Sequence, residues 1–178
     1  MQLYTGIKIL SLSATLSLMS ACTSEEKKTA TIADETPEKA GTSATSEPAF
    51  KKEGTLFFIS AKGDTVERID IEIASNDAER MQGLMYRTSI NEKTGMLFLF
   101  DHPEMQSFWM KNTPSSLDIM FISPDMTILN IHAFTQPYAE TNYPSTGLSN
   151  LVLEVRGGYC QQHGIKAGDK IAYTLLYQ

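Results

Sequence analysis

The sequence predicts a mainly β protein: a single compact antiparallel sandwich or barrel-like domain with one or two short helices. Three observations carry this. Apolar runs of five to eight residues recur between tight turns, one run alternates strictly between apolar and polar residues, and few segments carry a helix start signal. At 178 residues with 42% hydrophobic and 20% charged content, the chain has room for one globular domain and a further segment.

The further segment lies at the front. Lys8 precedes an apolar stretch from Ile9 to Ala21, the layout of a secretory signal and too short to prefer spanning a bilayer. Met19-Ser20-Ala21-Cys22 resembles a bacterial lipoprotein box, with Met19 where leucine is usual. That resemblance implies cleavage after residue 21 and lipid attachment at Cys22. Thr23 stands where an inner-membrane retention signal often has aspartate, which implies the outer membrane, facing the periplasm. Each buried acyl methylene would contribute about 0.8 kcal/mol of membrane affinity. Residues 22–49 then form the lipidated cysteine and a tether. From Thr23 to about Pro48 the chain is rich in Thr, Ser, Ala, Glu and Lys and has no aromatic residue, so it cannot offset its own ordering entropy. About 26 such residues reach roughly 30 Å.

The domain is expected over residues 50–178. Thr55 to Ile59 reads as a first strand and Lys62-Gly63-Asp64 as a turn. Val66 to Ile73 places Ile69, Ile71 and Ile73 on one face and Arg68, Asp70 and Glu72 on the other, a half-buried strand. Asn76 followed three residues later by Glu79 is a capping box, opening a helix over 77–85 with Met81, Leu84 and Met85 on one side. Met96 to Phe100 is a strand, Asp101 to Glu104 a turn, and Phe108 to Met110 a second short strand. Leu117 to Ile122 and Thr127 to Phe134 follow as strands, with Tyr138 to Asn150 as a long loop. Leu151 to Val155, a helical turn over 158–164, the Gly168-Asp169 turn and a closing strand from Ile171 to Leu176 complete the body.

The chain is centred on Ser107 to Ile122, where the only tryptophan, the Lys111-Asn112-Thr113 triplet and Asp118 stand inside an apolar frame. Asp118, in a strand apolar on both faces, is expected to be buried and therefore paired, with Arg80, Arg87 and Lys111 as natural partners. The cluster is either a structural ion-pair network or a pocket in which an arginine and Lys111 face an anionic ligand. Trp109 is either core, the preferred reading, or an aromatic platform, with Lys111 on its side and Phe108 and Met110 opposite. Glu79, Glu154 and Asp118 could supply the carboxylate pair that glycoside cleavage needs.

Several classes are disfavoured. The net charge of −6 argues against a nucleic-acid partner. Cleavage at Cys22 leaves Cys160 as the one thiol, so no intramolecular disulfide is expected, and a buried inert cysteine is preferred to a nucleophile. Cys160-x-x-His163 is a weak metal spacing, and no metal or cofactor is expected.

Taken together these residues resemble one family, the bacterial and archaeal domain of unknown function 192. The matching pieces are Glu79-Arg80, Gly83-Leu84-Met85 and Arg87; Gly95 to Phe98 with Phe100; Phe108 to Thr113; Leu117-Asp118-Ile119 with Phe121; and Leu153-Glu154, Gly158, Gly164-Ile165 and Gly168-Asp169. Ser116 departs from the proline usual there, where Pro114 supplies similar stiffness. The resemblance implies a compact, mostly antiparallel β fold and no particular reaction. The expectation is a membrane-tethered envelope lipoprotein acting as a binding or accessory module for a small-molecule or glycan ligand. The ligand-binding candidates are Arg80, Arg87, Trp109, Lys111, Asn112, Asp118 and Glu154. The alternative is a hydrolase acting on an envelope glycan or peptide through Asp, Glu and Lys residues.

Overall fold

The computed structural model describes residues 47–176. The expected leader, Cys22 and the tether as far as Ser46 lie outside the described residues. Nine elements follow: β1 (Gly54–Ile59), β2 (Thr65–Ala74), α1 (Asp77–Gln82), β3 (Thr94–Phe108), β4 (Leu117–Ile122), β5 (Ile128–His132), β6 (Tyr143–Arg156), α2 (Tyr159–His163) and β7 (Lys170–Leu175).

All seven strands join one sheet in the order β5-β4-β6-β3-β2-β1-β7. Every neighbouring pair is antiparallel except β2 and β3, which run parallel with α1 in the connection between them. The sheet curls into a half-barrel, and its two edges approach at one end. Thr127 bridges Lys170, the Ile128 amide donates to the Asp169 carbonyl at 2.8 Å, and the Ile171 amide donates to the Met126 carbonyl at 2.9 Å. The mainly β reading stands.

Alternation along the strands divides the side chains into two apolar cores. Leu56, Phe58, Ile69, Ile71, Leu97, Met120, Leu153 and Val155 fill the concave interior together with Tyr159 and Cys160 of α2. On the opposite face of β3, β4 and β6, a second cluster holds Phe98, Ile119, Phe121 and Val152, covered by Leu84 and Met110 from the connecting segments. β4 is therefore buried at all six positions. A strand covered on both faces reads as a continuous apolar run, which is why one polar residue on either face of β4 or β6 stands out.

Four expectations are corrected. α1 stops at Gln82 rather than Met85, because Gly83 takes φ 45° and ψ −137°, a backbone conformation that favours glycine. A Cβ there would lie 3.2 Å from Phe98 Cζ, so a larger residue would have to push that ring aside by a few tenths of an ångström. Met81, expected on the buried side, is 74% exposed.

The expected turn at residues 101–104 is instead an irregular stretch within β3. Register is lost between Leu99 and Glu104, so Pro103 removes no ladder hydrogen bond. The expected loop over 138–150 is largely β6, which begins at Tyr143. Pro144 sits beside a second register shift, where the Gln106 amide turns to Ser145 Oγ at 3.0 Å. The capping box forms as read: the Glu79 amide donates to Asn76 Oδ1, and Glu79 Oε2 accepts from the Asn76 amide.

Candidate functional site

Asp118 is fully buried, as expected, but its partners are backbone. Oδ1 accepts from the amides of Phe134 at 2.8 Å and Gly158 at 2.9 Å, and Oδ2 accepts from the Cys160 amide at 2.8 Å. One carboxylate thereby ties the end of β5 to the start of α2. Neither Arg80, Arg87 nor Lys111 reaches it, and the expected Arg-Lys-Asp cluster does not form. Asp118 is structural.

Each cation has its own place. Arg87 makes a buried two-point pair with Glu72, at 2.5 and 3.0 Å, and Glu72 Oε1 also accepts from the Lys51 amide at 2.9 Å. That geometry clamps the segment after α1 to β2. Arg80 donates to the carbonyls of Ser75 (2.8 Å) and Leu99 (2.7 Å) and to Asp77 Oδ1 (2.6 Å), while its guanidinium lies 5.2 Å from the Phe100 ring centre. Lys111 Nζ stands 5.1 Å from the Trp109 ring centre. Trp109 is 47% exposed, so the preferred core reading fails, although Met110 beside it is fully buried. Asn112 adopts φ 56°; its carbonyl accepts from the Tyr86 amide at 2.8 Å, and its amide nitrogen faces Met85 Sδ at 3.9 Å. It pins the 109–113 turn against the segment after α1, and that pin sets the spacing of two pocket walls.

Between those walls is a cavity of about 210 Å³. The end of α1 and the residues after it form one side, from Arg80 to Met85. Phe98 and Phe100 of β3 line it, Gln106 to Trp109 and Thr113 close the other side, and Glu154 is part of the lining. Phe108 stands edge-on to Phe98, with ring centres 4.9 Å apart. Met81, Tyr86 and Trp109 are exposed around this region.

Glu154 is the unusual member. It sits near the C-terminal end of β6, opposite Met96 on one side and Ile119 on the other, both buried. It is 5% exposed and forms no hydrogen bond or ion pair among the described residues. Burial pushes its carboxyl up to about 8 from the ordinary value of 4.5. At neutral pH it is a neutral acid in an aromatic pocket, able to donate a proton or to become a counter-ion.

The sheet separates the two buried carboxyls. Ile119 pairs with Glu154 and Asp118 with Val155, so by alternation Asp118 belongs to the concave face and Glu154 to the opposite one. Glu79 is occupied as the α1 cap. No carboxylate pair of the kind expected for glycoside cleavage is assembled from these three. Cys160 is buried beside Met120, and burial pushes its thiol above the ordinary range. Among the described residues, no three His, Cys, Asp or Glu side chains gather to hold a metal ion.

A second cavity, of about 220 Å³, is lined by Glu47, Glu72 and Arg87. Its charges are already matched: Arg87 with Glu72, and Glu47 with the amides of Thr88 and Ser89. Arg87 Nε is nevertheless buried there without a hydrogen-bond partner; what distinguishes the Glu154 cavity is that its unpaired group is an acid.

Comparison with known proteins fits this arrangement. The family model DUF192, Uncharacterized ACR, matches residues 58–173. The chain belongs to the DUF192 family. A crystal structure of a protein of unknown function from Novosphingobium aromaticivorans shares 39% identity at a TM-score of 0.63, covering 66% of this chain and 83% of that one. A second, from Sinorhizobium meliloti and described as a proposed transcription regulator, shares 33% identity at a TM-score of 0.66, covering 71% of this chain and 98% of that one. The search of curated proteins found no match. The pieces that carry the DUF192 resemblance converge on the cavity: Arg80, Gly83, Leu84, Met85, Phe98, Phe100, Phe108, Trp109, Thr113 and Glu154 all line it. Sequence reading named Arg80, Trp109 and Glu154 as site candidates but not Phe98, Phe100 or Phe108, which it placed only in strands and in the family pattern. The available signal was the lone acid in Leu151-Val152-Leu153-Glu154-Val155.

Proposed function

We propose that this protein is an envelope lipoprotein, held to the membrane through Cys22, whose domain binds a small ligand in the Glu154 pocket. One observation carries the binding reading: a buried acid left without a partner in a cavity built by the residues of the family pattern. Burying a polar group unpaired is unfavourable, and an unpaired acid in the lining of a surface-opening, partly aromatic pocket is a group that a ligand could engage. The tether, the leader and the outer-membrane placement rest on the Met19 to Cys22 pattern.

The hydrolase alternative has in its favour a carboxyl that titrates near neutrality, suited to general acid or base work. It lacks a second group, since Asp118 belongs to the other face. The Sinorhizobium relative is described as a proposed transcription regulator; for this chain, direct contact with nucleic acid fits poorly with a net charge of −6.

Binding is testable on the full-length chain through Trp109 fluorescence and thermal shift against a panel of envelope sugars, peptides, amines and organic acids. A saturable thermal shift that Trp109→Ala and a Glu154 substitution both abolish supports the reading, the fluorescence being read only where Trp109 is kept. Ligands that bind with neither change mattering contradict it. Palmitate incorporation that Cys22→Ser removes tests the anchor.

A further inference from the structure

We infer that the Glu154 pocket takes a small organic cation, of the alkylammonium class, with the Glu154 carboxylate as its counter-ion and the aromatic walls around its alkyl groups. This rests on the reading of the cavity as a ligand pocket and names the ligand chemistry.

The first argument is residue choice. If the site needed only a hydrogen-bond donor, glutamine would serve in the same volume with no ionisation linkage. What glutamate adds is a negative charge that can be called up when an opposite charge arrives. The position is 5% exposed, opposite Met96 and Ile119, and no basic group among the described residues is paired with it.

The second argument is the lining. Phe98, Phe100, Phe108 and Trp109 line the cavity, and the faces of such rings attract cations; Arg80 already lies over Phe100 and Lys111 over Trp109, which leaves Phe98 and Phe108 to a ligand. Met81 and Met85 add polarizable thioethers that fit irregular alkyl shapes. At about 210 Å³ the space suits an ammonium group bearing a few carbons.

The third argument is the charge balance at the pocket. The charged residues lining it are Glu154 and Arg80. Arg80 does not repel a cation freely, because Asp77 and two backbone carbonyls engage its guanidinium. On the adjoining segments, Arg87 is matched by Glu72, and Lys111 lies over the Trp109 ring. Arg156, two residues along β6, is directed to Gln162 and Glu92; Glu104 of β3 accepts from Gln106. Glu154 is therefore the one acid of the lining, and it has no cationic partner among the described residues; Lys111, which has no ion pair among them, lies over Trp109 of that lining.

The test uses three probes of nearly equal shape on the full-length chain: n-butylammonium, n-butanol and butyrate, followed by Trp109 fluorescence. Tetramethylammonium extends the series to a quaternary cation. The expected result is saturable binding of the cations, at least tenfold tighter than of n-butanol, with butyrate weakest. Affinity for n-butylammonium should rise about tenfold per pH unit below pH 8 and flatten above it, as the carboxyl ionises while the amine keeps its proton. Glu154→Gln should lower cation affinity at least tenfold at pH 8 and remove that pH dependence; the profile of the unsubstituted chain tests the point even if the variant folds poorly. Binding of n-butanol or butyrate in preference to both cations overturns the inference while leaving a ligand pocket. Absence of any response from all probes overturns the cation assignment; the pocket reading then stands or falls on the wider ligand panel.

Discussion

Replacing Glu154 by glutamine should change how the domain's stability depends on pH, in a direction the structure fixes. The unfolded chain ionises this carboxyl near its ordinary value of 4.5, while burial holds it protonated to about 8 in the folded state. Between those values the folded state binds the extra proton, so stability is greatest at low pH and falls as pH rises, levelling off above about 8. From pH 5.5 to 8 the loss attributable to this one group is about 3 kcal/mol at 1.36 kcal/mol per unit, on the order of ten degrees in melting temperature for a domain of this size. Glu154→Gln cannot ionise and should lack that slope. Thermal melts of both proteins from pH 5 to 9 give the comparison, and the difference between the curves cancels the remaining titrating groups. The variants should agree within about 1 kcal/mol at the acid end, with glutamine the more stable at the alkaline end. Parallel curves would refute the reasoning, because they would mean that Glu154 is solvated or paired when the chain is in solution.

Other substitutions separate structural from binding residues. Asp118→Asn turns an amide toward one of three backbone N–H donors and should cost about 3 kcal/mol in denaturant unfolding, as befits a charged acceptor. Arg87→Met, which strands Glu72, should cost about 3–5 kcal/mol, and adding Glu72→Leu should recover most of it; a double-mutant cycle reads the coupling. Trp109→Ala should change stability by about 1 kcal/mol or less, since it removes a half-exposed ring and its Lys111 contact, yet abolish ligand binding measured by calorimetry.

Much of the fold was legible because its signals are local. The alternation from Val66 to Ile73, the Asn76-Glu79 capping box and the doubly apolar Leu117–Ile122 each report the environment of their own element. Errors came where long-range pairing overrides local chemistry. Asp101-His102-Pro103-Glu104 looks like a turn, and Pro144 with Gly147 looks like a loop, but both lie in long strands whose irregular registers absorb the prolines. Asp118 was read correctly as buried and incorrectly as paired with a cation, because its donors come from residues 16 and about 40 positions away in the chain. Arg80 and Arg87 have the right composition for an anion site, yet each is engaged by a partner that the folded sheet supplies, Leu99 and Glu72, while Lys111 stays over its own neighbour Trp109. Glu154 was visible as a lone acid in an apolar strand. That its strand partners are Met96 and Ile119, and that phenylalanines of the second core also wall a cavity, depends on strand order, which no local pattern encodes.

Carbon-13 NMR of the glutamate side-chain carboxyls, titrated on the full-length chain beside Glu154→Gln, measures the central claim most directly. The account predicts one resonance with a midpoint near 8, absent from the variant and shifted toward the ionised position when n-butylammonium is added. Glutamates that all titrate in the ordinary range below about 5 would contradict it.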